Sequence, residues 1–436
     1  MSTAVPGLAP EVPLALPTPV ERVLPNGLSV TLVRRPGVPI AEVRLSIPAA
    51  HADLAVADVL SAALFAGTES ATMTEIAQRL QGVGGSLGAG ADPDRLAVSG
   101  TCLASGLSEL LDILGDILVA ADYPEAPLAV EQSRIIDGLS VAEQQPDFQV
   151  SRALDARLWG DHPYGHQQPT AAEVAAVVRD DVRALHASRL HPDGSRLVIV
   201  GDIDPDAALA AVEKSLAAWN GSGEPRHMEP LPSLVPGPVV LVDRPGSVQS
   251  AIRIAYPAVG RTHDDNAAQH LANLIYGGYF TSRLVMNLRE TKGYGYSPRS
   301  RVDHSPAGSV QLTSVDVATE VTAPALAEVV SELRGMAERA PDEAELDLAR
   351  RYALGSVKLA TATQSGIANY TSALAACGLP LSWLAEHSER LRAVTPADIK
   401  RVAAERMSPD GAVTVVLGDG AEVTGPLSET AEIEVL

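Results

Sequence analysis

The chain has 436 residues, more than one ordinary core accommodates, with 46% hydrophobic residues and a mean hydropathy of +0.09, as a folded protein requires. A formal charge of −21 leaves no basic footprint for phosphates and argues against nucleic acid as a partner. No apolar run reaches the roughly 18 residues of a membrane span, so no membrane association is expected.

Residues 1–19 lack a basic residue and a long apolar run, and Pro6, Pro10, Pro13, Pro17 and Pro19 make them a flexible lead-in rather than a signal peptide. Leu24-Pro-Asn-Gly-Leu28 predicts a hairpin turn. An Arg-Pro-Gly turn follows, then an alternating strand with Val43, Leu45 and Ile47 on one face and Arg44 on the other. Leu54–Phe65 and Met73–Val83 read as helices, the second stopped by Gly84-Gly85. Arg95–Leu103 reads as a strand, and 107–120 and 129–142 as helices. Cys102 and Cys377 are the only cysteines, too few for a disulfide framework or a thiolate metal site; they suit a reducing compartment, and a cytoplasmic location is expected.

His162-Pro-Tyr-Gly-His166 has i,i+4 spacing, but its Pro and Gly oppose a helix, so it reads as an exposed loop. Residues 219–236 are rich in Gly and Pro and read as a linker. Asp264 and Asp265 precede a helix start flanked by His263 and His270, which read as structural.

Beyond the linker the pattern returns. Val33–Ala49 aligns with Val242–Ala258 without a gap at an offset of 209, and Ile252, Ile254 and Tyr256 repeat the apolar face with Arg253 opposite. Arg189–Asp202 aligns with Arg406–Asp419 at an offset of 217, each with a Pro-Asp-Gly turn before a buried strand. Two ungapped anchors in the same order mean a duplicated unit. The predicted class is α+β: two duplicated domains, 20–218 and 237–436, each a mixed or antiparallel sheet packed with helices.

Leu64-Phe65-x-Gly67-Thr68, Asp161-His162-Pro163-Tyr164-Gly165, Gly277–Leu284 and Leu288–Ser297 then carry a family likeness. Together they resemble the pitrilysin-like inverzincin metallopeptidases, in particular the two-domain subunits related to mitochondrial processing peptidase, over about Arg22–Asp419. The resemblance implies a LuxS/metallopeptidase-like fold. Active members bind zinc through His-x-x-Glu-His on a helix, the glutamate activating water, with a further glutamate downstream. Here that motif falls on Asp58, Ser61 and Ala62, and the downstream position, seven residues after Glu131, is Gly138. Asp58 is at best a weak ligand, Ser61 is a poor base, and Ala62 and Gly138 have no donor. No zinc is expected in this chain.

The second half keeps an arginine and a tyrosine, Arg289 and Tyr296, at the spacing of the family's zinc-less subunits. The resemblance implies that this pair binds the peptide and stabilises the tetrahedral oxyanion at a partner's zinc site, for which a guanidinium and a phenol are suitable donors. It also implies a heterodimer with a zinc-bearing His-x-x-Glu-His homologue, acting on unfolded or short peptides. The alternative is a catalytically inactive scaffold or peptide-binding protein of the same fold; the missing ligands oppose a self-sufficient zinc peptidase.

Overall fold

The computed structural model describes residues 12–221, 223 and 228–436; residues 1–11 of the lead-in and residues 222 and 224–227 of the linker lie outside it. The first half contributes β1 (Val20–Val23), β2 (Ser29–Arg34), β3 (Ile40–Pro48), β4 (Ser86–Ala91), β5 (Arg95–Leu103) and β6 (Arg196–Gly201). Its helices are α1 (Leu54–Ala63), α2 (Met73–Gly82), α3 (Leu107–Ala120), α4 (Glu125–Ala142), α5 (Pro146–Trp159), α6 (Ala171–Ala176), α7 (Arg179–Arg189) and α8 (Pro205–Ser215). The second half contributes β7 (Val239–Asp243), β8 (Gln249–Pro257), β9 (Arg299–Ser305), β10 (Gly308–Ala318), β11 (Val413–Gly418) and β12 (Ile433–Val435). Its helices are α9 (Asn266–Asn273), α10 (Arg283–Val285), α11 (Thr322–Glu338), α12 (Glu343–Ala360), α13 (Gln364–Ala376), α14 (Trp383–Ala393), α15 (Pro396–Arg406) and α16 (Gly420–Ser428).

The strands form two six-stranded sheets with orders β1-β2-β6-β3-β5-β4 and β12-β7-β11-β8-β10-β9. The α+β fold of two mixed sheets packed with helices is thus borne out. Repeated sequence makes repeated topology: β2 and β7 each pair in parallel with the closing strand of their half, β6 or β11, and the other pairings around β3 and β8 are antiparallel. The halves differ at one edge. There the first sheet takes its strand from the start of the chain, antiparallel to β2, and the second takes β12 from the end, parallel to β7.

Alternation along β3 sends Val43, Leu45 and Ile47 into the first core, and along β8 it sends Ile252, Ile254 and Tyr256 into the second. Burying one such side chain contributes roughly 1.5–3 kcal/mol, so the register is strongly specified. Local signals set the helix starts. Asp53 caps α1 by accepting from the amides of Ala55 and Val56, and Thr72 and Glu75 form a reciprocal capping box on α2.

The outer faces of the sheets are covered by an exchange. Helix α5 of the first half lays Val150, Leu154 and Leu158 on Val240, Ala251, Ala255, Val415 and Leu417 of the second sheet. Helix α13 of the second half lays Ile367, Ala368 and Leu374 on Val33, Val198 and Val200 of the first. The duplicated arginines pin these helices. Arg44 donates to Asn369 Oδ1 at 2.8 Å and Ser365 Oγ at 3.0 Å on α13. Arg253 donates to Asp147 Oδ1 at 2.6 Å on α5 and Asp316 Oδ1 at 2.8 Å on β10. The guanidinium holds the Asp147 carboxyl below its ordinary range. Neither sheet is therefore closed by its own half of the chain.

Candidate substrate site and degenerate zinc helix

In the first half, α1 holds the positions where the resemblance implied zinc ligands, and α4 packs against it. Asp58 is partly buried, and desolvation pushes its carboxyl up to about 6. Ser61 is 4% exposed, and its hydroxyl has no hydrogen-bond partner. Ala62 offers no donor atom. Gly138 lies exposed on α4 with open space where a side chain would stand. The donor set does not fit zinc: of the three ligand positions only Asp58 keeps a donor atom, and the buried Ser61 hydroxyl stands where the water-activating glutamate would be. Among the described residues no three His, Cys, Asp or Glu side chains gather in a metal-binding group.

The histidine loops are occupied otherwise. His162 Nε2 lies 3.1 Å from the Glu229 carbonyl and His166 Nε2 lies 3.3 Å from Glu173, so the two rings serve different partners. His263 Nδ1 accepts from the Asp265 amide at 3.0 Å just ahead of α9.

In the second half the chain leaves α9 through a π-helical turn, Leu274–Gly278, and after α10 enters another, Met286–Thr291. Such turns widen the helix and re-aim side chains, and they recur at functional sites. Leu284 and Leu288 are fully buried and fix the inner side of this segment. Its flanks are tied by Arg283 to Glu345, by Asn287 to Glu328 and Glu332, and by Lys292 to Glu328. Gly293 then takes φ +67°, a left-handed turn that glycine makes without steric cost. Gly295 passes so close to β10 that an added Cβ would sit 2.7 Å from the Asp316 carbonyl oxygen. Those two glycines deliver Tyr296.

This scaffold brings Arg289 and Tyr296 together. The guanidinium carbon of Arg289 lies 5.2 Å from the Tyr296 ring centre and 4.3 Å from that of Phe280, within cation–π range. Its Nε pairs with Glu290 at 3.1 Å, and its two Nη groups have no hydrogen-bond partner among the described residues. Tyr296 is 80% exposed and Phe280 65%. Tyr279 is only 9% exposed, and its ring lies 5.4 Å from that of Tyr352, tilted by 31°. In a chain with only 3% aromatics, exposing Phe280 and Tyr296 side by side is a local feature. Phe280 lies within Gly277–Leu284 and is not a site residue by sequence reasoning; aromatics on both sides of the Leu-Arg-Glu segment are the signal that could have found it.

Comparison with known proteins defines the class. Residues 176–352, which include Arg289 and Tyr296, match the family model of the peptidase M16 inactive domain. An uncharacterised zinc protease of Mycobacterium leprae is 25% identical over 290 residues, covering 64% of this chain and 65% of that protein; its Mycobacterium bovis counterpart is 26% identical over 312 residues, covering 69% and 70%. The chain thus spans about two thirds of the curated relatives it matches. A peptidase M16 inactive domain from Pseudomonas fluorescens superposes with a TM-score of 0.83 at 24% identity, over 92% of this chain and 98% of that one. A protease from Helicobacter pylori superposes with a TM-score of 0.84 at 18% identity, over 92% and 100%. The pitrilysin-like resemblance is borne out: residues 176–352 match the peptidase M16 inactive domain, and the chain is similar to proteins named zinc proteases. Among the described residues no helix is long and apolar enough to cross a membrane.

Proposed function

We propose that this chain is the zinc-less subunit of a heterodimeric metallopeptidase. The carrying observation is the contrast within one molecule: α1 has lost its metal donors, while Arg289 stands with both Nη groups unpartnered beside an 80%-exposed Tyr296. In this reading the partner, a His-x-x-Glu-His homologue, holds the zinc, and this chain holds none. The Arg289 fork takes a peptide carbonyl, and its charge orients the chain. The Tyr296 hydroxyl donates to the same oxygen as it gains charge in the tetrahedral intermediate. Phe280 keeps the guanidinium in place from the side. Substrates are unfolded or short peptides.

The pairing is tested by mixing the purified chain with zinc-bearing homologues from its own source organism. A 1:1 complex on size-exclusion chromatography that cleaves peptides faster than the homologue alone supports the reading. Failure to associate with any of them favours the scaffold alternative.

A further inference from the structure

A cavity apart from Arg289 and Tyr296 lies behind the edge strand β9. It measures about 310 Å³, and its walls include Arg261, His270, His304, Tyr370, Trp383 and His387. Three rings form a stack across it. Trp383 and His387 lie 4.5 Å apart at 11°, and His387 and His270 lie 5.4 Å apart at 6°, joined by a 3.1 Å contact between His270 Nδ1 and His387 Nε2. Arg261 sits over the Trp383 ring at 5.5 Å.

The electrostatics of this cavity run against the rest of the molecule. The chain carries 54 acidic residues, yet no Asp or Glu lines the cavity. Arg261 is only partly exposed, its Nε is buried and unpartnered, and the guanidinium has no hydrogen bond or ion pair among the described residues. Trp383 Nε1 and His387 Nδ1 are unpartnered too, in side chains 3% and 5% exposed. Burial and the nearby Arg261 hold His270 and His304 down to about 4 and His387 to about 3, so at neutral pH the rings are uncharged; of the two arginines in the lining, Arg301 is paired with Asp303 at 2.9 Å and Arg261 is not paired. A partly desolvated, unpaired guanidinium is costly, and buried polar groups without partners call for an explanation. A bound anion answers both. Bidentate pairing with a guanidinium suits a carboxylate, and the aromatic stack with Val302, Val357 and Leu384 suits a flat or apolar body behind it. A divalent cation finds no carboxylate here and meets repulsion from Arg261.

We infer that this cavity is a binding site for a carboxylate carried on an apolar or aromatic body, with Arg261 as its counter-ion. The carboxylate has two natural sources, a free small acid or the C-terminus of a peptide. The test is a titration, followed by thermal shift and tryptophan emission, with N-acetylphenylalanine and its amide, and with a heptapeptide ending in phenylalanine as free acid and as amide. Each acid is expected to bind at least tenfold more tightly than its amide, about 1.4 kcal/mol. A tighter heptapeptide acid identifies a peptide terminus as the ligand; a tighter N-acetylphenylalanine identifies a free acid. Arg261→Gln is expected to abolish the acid preference with little change in the melting temperature of the ligand-free protein, because the side chain makes no hydrogen bond or ion pair among the described residues and gives up only its contact with the Trp383 ring. If that variant does not fold, the acid–amide contrast in the wild type still decides. Equal binding of acids and amides, an acid preference that survives in Arg261→Gln, or equally tight Arg261-dependent binding of inorganic phosphate overturns the assignment.

Discussion

Arg289 shows how a charged side chain is kept both available and ordered. Its Nε is occupied by Glu290 and its carbon is flanked by two rings, which leaves the outer fork for a ligand. Phe280 is the nearer ring, so removing it loosens the arginine without touching the Tyr296 hydroxyl. Phe280→Ala is expected to raise KM several-fold in the proposed complex with little change in kcat, the signature of lost positioning of a binding group. An equal fall in kcat for Phe280→Ala would show instead that the ring acts in the transition state.

Asp155 gives a second test at this scale. It faces the cavity between α5 and the second sheet, and burial pushes its carboxyl up to about 7, opposed by a hydrogen bond from Gln167 and the charge of Arg301. A folded value above the unfolded one of about 4 means that the native state binds the extra proton. This contribution to stability is complete below pH 4 and is lost as pH rises through 7. Asp155→Asn removes that loss, and the variant is expected to be more stable than wild type by on the order of 1 kcal/mol at pH 8. The difference should vanish near pH 4, as read by urea unfolding at the two pH values. A constant difference at both would mean that the carboxyl is not the cause.

At the scale of elements, the exchanged helices and the glycine turn are the critical parts. Arg253 is 6% exposed in its side chain and has two carboxylate partners, Asp147 on α5 and Asp316 on β10. Replacing both by asparagine strands a buried guanidinium, and a loss of about 3 kcal/mol in unfolding free energy is expected. Arg253→Met, which fills the space without a charge, should lose clearly less; the urea midpoints of the two variants settle the comparison. Gly295 is constrained by space rather than by φ. Gly295→Ala must push the turn away from the Asp316 carbonyl, and about 1–3 kcal/mol of destabilisation is expected together with displacement of Tyr296.

The element scale also separates what the chain discloses from what it hides. The Arg-Pro-Gly and Pro-Asp-Gly repeats disclosed two similar units, and alternation correctly placed Arg44 and Arg253 opposite the core faces. Helix starts were legible where caps are local, as at Asp53 and Thr72. The partner of a helix face was not. Val150, Leu154 and Leu158 announce a buried stripe, but nothing local says that it lies on the other half's sheet. The two π-helical turns were not legible, because a shift of one residue in hydrogen bonding leaves no compositional trace. His270 and His387 are 117 residues apart, so their stacking is a product of the tertiary fold alone.

At the scale of the molecule, two sheets tied by exchanged helices make a unit in which α1 lacks a metal-binding donor set and the second half presents an aromatic-flanked arginine. If the loss at α1 is complete, the purified chain should contain no stoichiometric zinc by elemental analysis and should cleave no peptide by itself. Zinc near one per chain would contradict that part of the account. The central claim is that Tyr296 and Arg289 act at the zinc site of another chain. Its most direct test is steady-state cleavage of a quenched-fluorescent peptide by the 1:1 complex carrying wild type, Tyr296→Phe or Lys292→Ala. Tyr296→Phe removes one hydroxyl and should lower kcat by roughly 10²-fold, the scale for one oxyanion donor. Lys292→Ala breaks only an exposed ion pair to Glu328 and should stay near wild type. If Tyr296→Phe and Lys292→Ala turn over alike, donation across the interface is wrong and this chain is only a scaffold for its partner.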